Sequence, residues 1–423
     1  MVFHVTVLSN FARAYDKYAR AYDKARIAES TYPNEFYVLR EDELAIGARK
    51  ARRLLDRLAL SGDSLIALRT DVTALTPNTR NGLGQVYPHG SLPVTAVHEV
   101  AGDTLGAPLA LEGAMARSLA IHAGSFAPYA ALRPRSISFL PIARGCQAAC
   151  SFCFSEASVS ADQRQTPIDD QITARWLDAA VARGAERAVI TGGGEPTLLR
   201  WPALLGLVRS CRARVGKVVL ITNGIVVAED PDVRVRELRD AGLQAVAISR
   251  HHRDEVRNAS LMKIANSTPR VIAAAVRAGL RTRLVCVLQR GSVDGVAAIA
   301  DYVAWAAELG VDEVCFKELY VSTSEESLYH SHASNAWSAE HQVPLAHVLA
   351  WAAEARFEIE HRLPWGAPIF GGSVTGRPIR VAAYTEPSLF WERTHGLARS
   401  WNVMADGSCL ASLEDRGSRI EVA

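Results

Sequence analysis

The sequence lacks most of the features that would assign a function class at a glance. It has no charge excess, with 47 Lys and Arg against 45 Asp and Glu and a net charge of +2, so no overall field recommends nucleic acid or an anionic membrane as a partner. No apolar run reaches bilayer-spanning length. Segment 1–8 lacks the charged start and longer apolar core of a signal peptide. Cysteine is scarce: there are seven in 423 residues and none in the first 130. A disulfide framework is thereby excluded, and reduced thiols with metal ligands among them lead to the expectation of a cytoplasmic protein. Hydrophobic residues at 49% and charged residues at 22% describe an ordinary globular chain, long enough for one large core plus an appendage or for two domains.

What is present is concentrated in two short stretches. Cys146, Cys150 and Cys153 form a C-x3-C-x2-C array on one loop. Structural zinc takes four protein ligands and an ordinary [4Fe–4S] electron carrier takes four thiolates. Three thiolates therefore leave one metal position open to a small molecule, although a zinc loop remains a possible reading of the array alone. About forty residues on, Thr191, Gly192, Gly193, Gly194, Glu195 and Pro196 follow the apolar run 187–190, a buried strand by its length and β-branched content. Glycines let backbone approach a ligand closely, and a carboxylate beside them can receive an ammonium.

In this order and spacing, the two stretches resemble the radical S-adenosylmethionine (radical SAM) superfamily, in its single-cluster form. The resemblance implies that Cys146, Cys150 and Cys153 hold three irons of one [4Fe–4S] cluster while S-adenosylmethionine chelates the fourth. An electron then cleaves S-adenosylmethionine to methionine and a 5′-deoxyadenosyl radical, which takes a hydrogen atom from the substrate. Phe152, before the third cysteine, would lie beside the adenine. Gly193, Gly194 and Glu195 match the GGEP motif that binds the amino group. Thr222 and Asn223 match the Thr-Asn-Gly after the third strand. Ser249 matches a polar residue after the fourth strand that contacts the ribose or carboxylate, and Asn258 matches an Asp/Glu-x-x-Asn signature. Arg250 would neutralise the carboxylate of S-adenosylmethionine, as guanidinium forks do.

The wider pattern agrees with an α/β class built as a partial (β/α)6 barrel. Six strands are expected at 136–142, 187–190, 217–224, 245–249, 283–289 and 313–318, separated by helices near 167–183, 201–214, 232–241, 269–278 and 294–309. Ligands collect at the carboxyl ends of such strands. That rule adds Gln289 as a cofactor contact and Lys317 with Glu318 as a substrate site. Residues 1–130 read as a mainly helical extension of unknown role, with helices over 12–25 and 41–60 and a loop-rich stretch with short strands at 76–106. Residues 131–320 form the core, and 321–423 a small α+β cap closing the barrel mouth.

Function follows at two levels. The resemblance implies an enzyme with one [4Fe–4S] cluster, S-adenosylmethionine and an external electron donor such as flavodoxin or ferredoxin. A sugar, nucleoside or amino-acid derivative is favoured as substrate, because no peptide-binding module or multi-cysteine C-terminal domain is evident; a peptide-modifying enzyme is the alternative. A non-catalytic iron–sulfur or zinc-binding protein is the reading of another class. Cys211, Cys286 and Cys315 read as core hydrophobes. Cys409 lies beside an Asp406-Gly407 turn and is expected to donate a hydrogen atom to the substrate radical, which would make an epimerase, with rearrangement, elimination or dehydrogenation as the other outcomes. Adjacent His251 and His252 are expected to point apart, so that they serve a pocket rather than a second metal.

Overall fold

The computed structural model describes residues 127–154, 165, 169–265, 268–319, 332–343, 345–364, 367–384, 392, 396–413 and 416–421, together with five N-terminal strands. The chain divides into two units. The first comprises Met1–Pro128, Pro364–Ala367 and Thr385–Gly396, and the second Tyr129–Leu363, Pro368–Tyr384 and Leu397–Ala423.

In the first unit, β1 (Val2–Thr6), β2 (Tyr37–Arg40), β3 (Leu65–Thr70), β4 (Val94–Ala101) and β5 (Thr104–Pro108) pair antiparallel in the order β2-β1-β3-β4-β5. Their composition is β-branched and aromatic, which suits a pleated sheet. The helices expected over 12–25 and 41–60 lie outside the described residues, so what is described of this extension is sheet.

The second unit is organised by a 12-stranded sheet. The six expected strands appear in sequence order as β7 (Ser136–Leu140), β8 (Arg187–Ile190), β9 (Lys217–Thr222), β10 (Ala245–Ser249), β11 (Arg281–Val287) and β12 (Glu313–Lys317), all parallel; the two-residue β6 (Arg133–Pro134) precedes them. The intervening helices are α1 (Asp170–Ala182), α2 (Trp201–Arg212), α3 (Pro231–Asp240), α4 (Glu255–Met262), α5 (Thr268–Arg277) and α6 (Val296–Glu308). Local chemistry starts them. Asp169 accepts from the amides of Gln171 and Ile172 at the head of α1, and Asp230 caps α3 with Pro231 at its first position.

Because the strand order never reverses from β7 to β12 and such crossovers are right-handed, all the helices fall on one face. That face is the fully buried one: Ile137, Ala188, Val218, Ile248, Leu284 and Phe316 are each 0% exposed, and Tyr302 of α6 meets Phe316 edge-on at 5.6 Å. The opposite, open face carries Val219, Ala245 and Ala247, with Ile221 and Val285 packed against them. Val219, Ala245 and Ala247 are 5%, 5% and 0% exposed although the helices lie on the other side, so the sheet curls with its open face inside. It does not close: β13 (Glu358–Arg362) and β19 (Arg419–Ile420) remain its two edges. The fold is thus the expected partial barrel.

The region after 320 departs from the expectation of a separate cap. The helices α7 (Ala333–His341) and α8 (Ala346–Glu354) lead to β13, β14 (Pro368–Val374) and β15 (Arg377–Tyr384), and β15 pairs parallel with β12. After the two-residue β16 (Leu397–Ala398), which pairs with β6, β17 (Trp401–Met404) pairs parallel with β7, and β18 (Cys409–Leu410) and β19 follow antiparallel. The C-terminal region therefore extends the core sheet at both edges, so residue 320 is not a boundary of that sheet. The reason is burial: all four residues of β17 are buried, and Trp401 packs edge-on against Trp176 of α1 at 6.3 Å. Among the described residues no helix is long and apolar enough to cross a membrane.

Candidate functional site

The carboxyl ends of β7, β8 and β9 converge on one constellation. The cysteine loop leaves β7 at Pro141 and has no regular structure through Cys153, so backbone hydrogen bonds from outside must place it. Gln165 braces its start, accepting from the Ala143 amide and donating to the Pro141 carbonyl, both at 2.9 Å. The Glu195 amide donates to the Gly145 carbonyl at 3.0 Å, and the Ala149 amide to the Met262 carbonyl of α4 at 3.0 Å. The loop is thus tied to the GGEP turn on one side and to α4 on the other.

The glycines of the motif have a different local reason from the one sequence suggests. A side chain at Gly194 would collide with the Gly145 carbonyl oxygen and reach Ile142 Cγ2 at 2.8 Å. The neighbour that requires glycine there is therefore the cysteine loop, and Gly145 itself adopts φ +117°. Gly193 is buried in the same turn.

Glu195 is 3% exposed and acts as a brace. Its Oε1 accepts from the Thr197 amide at 3.1 Å, the Thr197 hydroxyl at 2.6 Å and the Thr222 hydroxyl at 2.6 Å, while Oε2 accepts from the Asn223 amide at 2.8 Å. Burial raises its proton affinity and these donors lower it. A carboxylate offers about four lone-pair positions, so the remaining capacity for an ammonium lies on Oε2. Asn223 carries the connection onward: its Nδ2 donates to Gln147 Oε1 at 3.1 Å and approaches Cys146 Sγ at 3.6 Å.

The three thiols lie at the surface of this constellation, with Cys146 exposed and Cys150 and Cys153 half-buried. Burial pushes the Cys150 thiol up to about 12, helped by Cys153 and then Cys146, so the three sulfurs crowd one another electrostatically. Among the described residues no three His, Cys, Asp or Glu side chains converge on a single ion. A cluster's thiolates bind different irons, so the fit of this loop to one rests on the three-cysteine spacing and on the ties that hold the loop.

Gln289 supplies the second test of fit. Just past the end of β11 it is 0% exposed, and among the described residues neither its Oε1 nor its Nε2 has a hydrogen-bond partner. A buried, unpartnered amide costs about 1–3 kcal/mol, which a polar ligand would offset. Ser249, at the end of β10, is half-buried on the open face, in register with Val285. Gln289 and Ser249 thus stand at neighbouring strand ends with polar groups that a ligand could meet.

Arg250 is not. Strand alternation turns it to the helical face, where it is 0% exposed, donates to the carbonyls of His252 and Arg253 at 2.8 Å each, and lies over the Trp305 ring of α6 at 5.4 Å. The carboxylate-neutralising role is therefore withdrawn. Asn258 is likewise internal: its Oδ1 accepts from the His251 amide at 2.8 Å. Glu318, half-buried, accepts from the Leu345 amide at 3.3 Å just before α8. Lys317 stays on the open face, 4.7 Å from the Tyr384 ring. Cys409 is the largest correction. It is 0% exposed and pairs in register with Val403, which pairs with Phe139. That places it on the helical face, the wrong side of the sheet for donating hydrogen at the mouth.

An aromatic group near the cysteine loop escaped the sequence reading. Phe152 meets His251 edge-on at 4.8 Å and lies 6.0 Å from Trp337, which stacks on His341 at 3.9 Å. Trp337 and His341 stand four apart on α7, the one signal available. His251 is buried and its Nδ1 accepts from the Val287 amide at 3.1 Å, whereas His252 is half-buried and its Nδ1 accepts from the Asp254 amide at 2.9 Å.

Residues 140–303 match the model of the Radical SAM superfamily. No curated protein matches the chain in sequence. Among solved structures the chain is similar to Streptococcus suis SuiB bound to S-adenosylmethionine, at 17% identity and a TM-score of 0.45, over 70% of this chain and 63% of that one. It is also similar to coproporphyrinogen III oxidase (HemN) from Escherichia coli, a radical SAM enzyme, at 14% identity and a TM-score of 0.38, over 58% and 57% of the two chains. It spans less than two thirds of the length of each. The cysteine loop, the GGEP turn and the strands that carry them all lie within or against this matched segment, so the likeness to the Radical SAM superfamily falls on the part of the chain that builds the site.

Proposed function

We propose that the chain is a radical SAM enzyme that cleaves S-adenosylmethionine reductively and takes a hydrogen atom from a small polar substrate, a sugar, nucleoside or amino-acid derivative. The observation that carries this reading is the direct tie between the two motifs, Glu195 amide to Gly145 carbonyl at 3.0 Å. It ties the GGEP turn to the loop that carries the thiols, which supports reading them as one site.

In this reading Cys146, Cys150 and Cys153 hold a [4Fe–4S] cluster, which when bound supplies the electron for cleavage. Asn223 orients Cys146 through the loop. Glu195 presents Oε2 to the ammonium of S-adenosylmethionine, and Gly193 and Gly194 line that approach. Ser249 and Gln289 give polar contacts, and Phe152 offers a ring edge for the adenine. Lys317 faces the substrate. An external donor of the flavodoxin or ferredoxin type would deliver the electron.

The test is anaerobic reconstitution with iron and sulfide, then dithionite and S-adenosylmethionine. Formation of 5′-deoxyadenosine is expected from the wild type, and loss of both cluster absorbance and cleavage from Cys146→Ala, Cys150→Ala or Cys153→Ala. A fully loaded cluster with no cleavage would favour a non-catalytic iron–sulfur protein instead.

A further inference from the structure

The open face of the sheet carries more cations than the fold neutralises. Arg187 opens β8 in register with Lys217 at the start of β9, and Arg281 and Arg283 alternate onto the same face of β11. One carboxylate answers these four: Glu313, 4% exposed, meets Arg283 at 2.7 Å and Arg281 at 3.3 Å. Among the described residues the side chains of Arg187 and Lys217, unlike those of Arg281 and Arg283, have neither a hydrogen bond nor an ion pair. Arg135 and Arg399 add positive charge beside Arg187. Burial makes both Arg187 and Lys217 easier to deprotonate, and Arg283 pushes each the same way. Like charges gathered on a curled, partly buried face destabilise the empty protein, and an anion is the ligand that relieves them, with guanidinium forks matching carboxylate or phosphate oxygens.

The spacing ties this group to the site above it. Arg187 stands three residues before Ile190, the last residue of β8, after which the GGEP turn begins. At about 3.3 Å per residue that is roughly 10 Å along the strand. We propose that Arg187 and Lys217 form an anion pocket on the open face, which holds a carboxylate or phosphate of the substrate roughly 10 Å from the end of the sheet where the thiols lie. The inference rests on the functional reading above for placing a substrate on this face. It narrows the substrate to a small polar molecule with an acidic group remote from the reacting carbon, which excludes neutral sugars and free nucleosides.

Calorimetric titration of the reconstituted full-length protein with inorganic phosphate and, separately, with succinate tests this, with chloride at matched ionic strength as control. At least one anion should bind at one site and more weakly as salt rises; the tighter of the two identifies phosphate or carboxylate as the group recognised. The double variant Arg187→Gln/Lys217→Gln should lose tenfold or more in anion affinity while cluster absorbance and S-adenosylmethionine affinity hold. If that variant does not fold, Lys217→Gln alone is held to the same criterion. Failure of both anions to bind beyond chloride, or wild-type affinity in the variant, overturns the proposal. Cleavage of S-adenosylmethionine without anion binding would sink the pocket alone. Anion binding without cleavage would sink the enzyme reading and leave the pocket standing.

Discussion

At the scale of single residues, two buried side chains make opposite predictions. Gln289 holds an amide with no partner, so an apolar isostere should relieve the unliganded protein and harm the liganded one. Gln289→Met is expected to raise the unfolding free energy by about 1–3 kcal/mol without ligand, and to reduce the extra stabilisation that S-adenosylmethionine gives. Thermal melts with and without S-adenosylmethionine read both, and a ligand-induced shift equal to wild type would remove Gln289 from the site. His251 predicts an acid limb. Burial, then Arg250, pushes its imidazole down to about 3 from an ordinary value of 6.5. The unfolded chain therefore takes up a proton below pH 6.5 that the folded protein refuses until about 3, and stability falls as pH falls through that window. His251→Gln should flatten the limb by one proton, about 1.4 kcal/mol per pH unit, in urea titrations between pH 6 and 4.

At the scale of elements, the cysteine loop and the GGEP turn form one device, because neither has regular structure to hold it alone. The loop borrows its position from the Glu195 amide, and the turn must leave room where Gly194 meets Gly145. Gly194→Ala is therefore expected to displace the loop and lower iron content after reconstitution by half or more. Gly206 in α2 is the control, since nothing lies within 4 Å of an added side chain there and Gly206→Ala should stabilise the helix by about 0.5–1 kcal/mol. Equal iron loading in the two variants would show that the close approach does not govern assembly. The anion pocket belongs to this scale too, since strand register, rather than any one residue, brings Arg187 beside Lys217.

At the scale of the whole molecule, the described part of the C-terminal region continues the sheet past both of its expected ends and adds to its buried core. Cys409 shows this in miniature. It is a fully buried thiol on the helical face, and burial drives its proton affinity far up. Cys409→Ala should leave reductive cleavage of S-adenosylmethionine at the wild-type rate and lower unfolding stability by about 1–2 kcal/mol, the loss from removing a small buried group. A variant equally stable but slower in cleavage would restore a functional part for this cysteine.

Sequence by itself determined the six parallel strands, their order and the two motifs, because each is local. A strand shows itself by a short β-branched run bounded by turns, and a three-thiolate loop by its spacing. The positions of Phe152, Thr222, Asn223, Ser249 and Gln289 in a motif or at a strand end were legible as well. Which face a side chain takes was decided only by tertiary structure. Ser249 and Arg250 are adjacent in sequence, yet the pleat sends one to the open face and the other to the helices. Cys409 was misplaced for the same reason, since its face is set by pairing with Val403 and, through Val403, with Phe139 of β7. Trp337 and His341, and the cationic face made by Arg187, Lys217, Arg281 and Arg283, come from segments far apart in the chain. Only the curl of the sheet and its register bring those charges together, because a like-charge cluster has no local signature and exists only once the strands that carry it are paired.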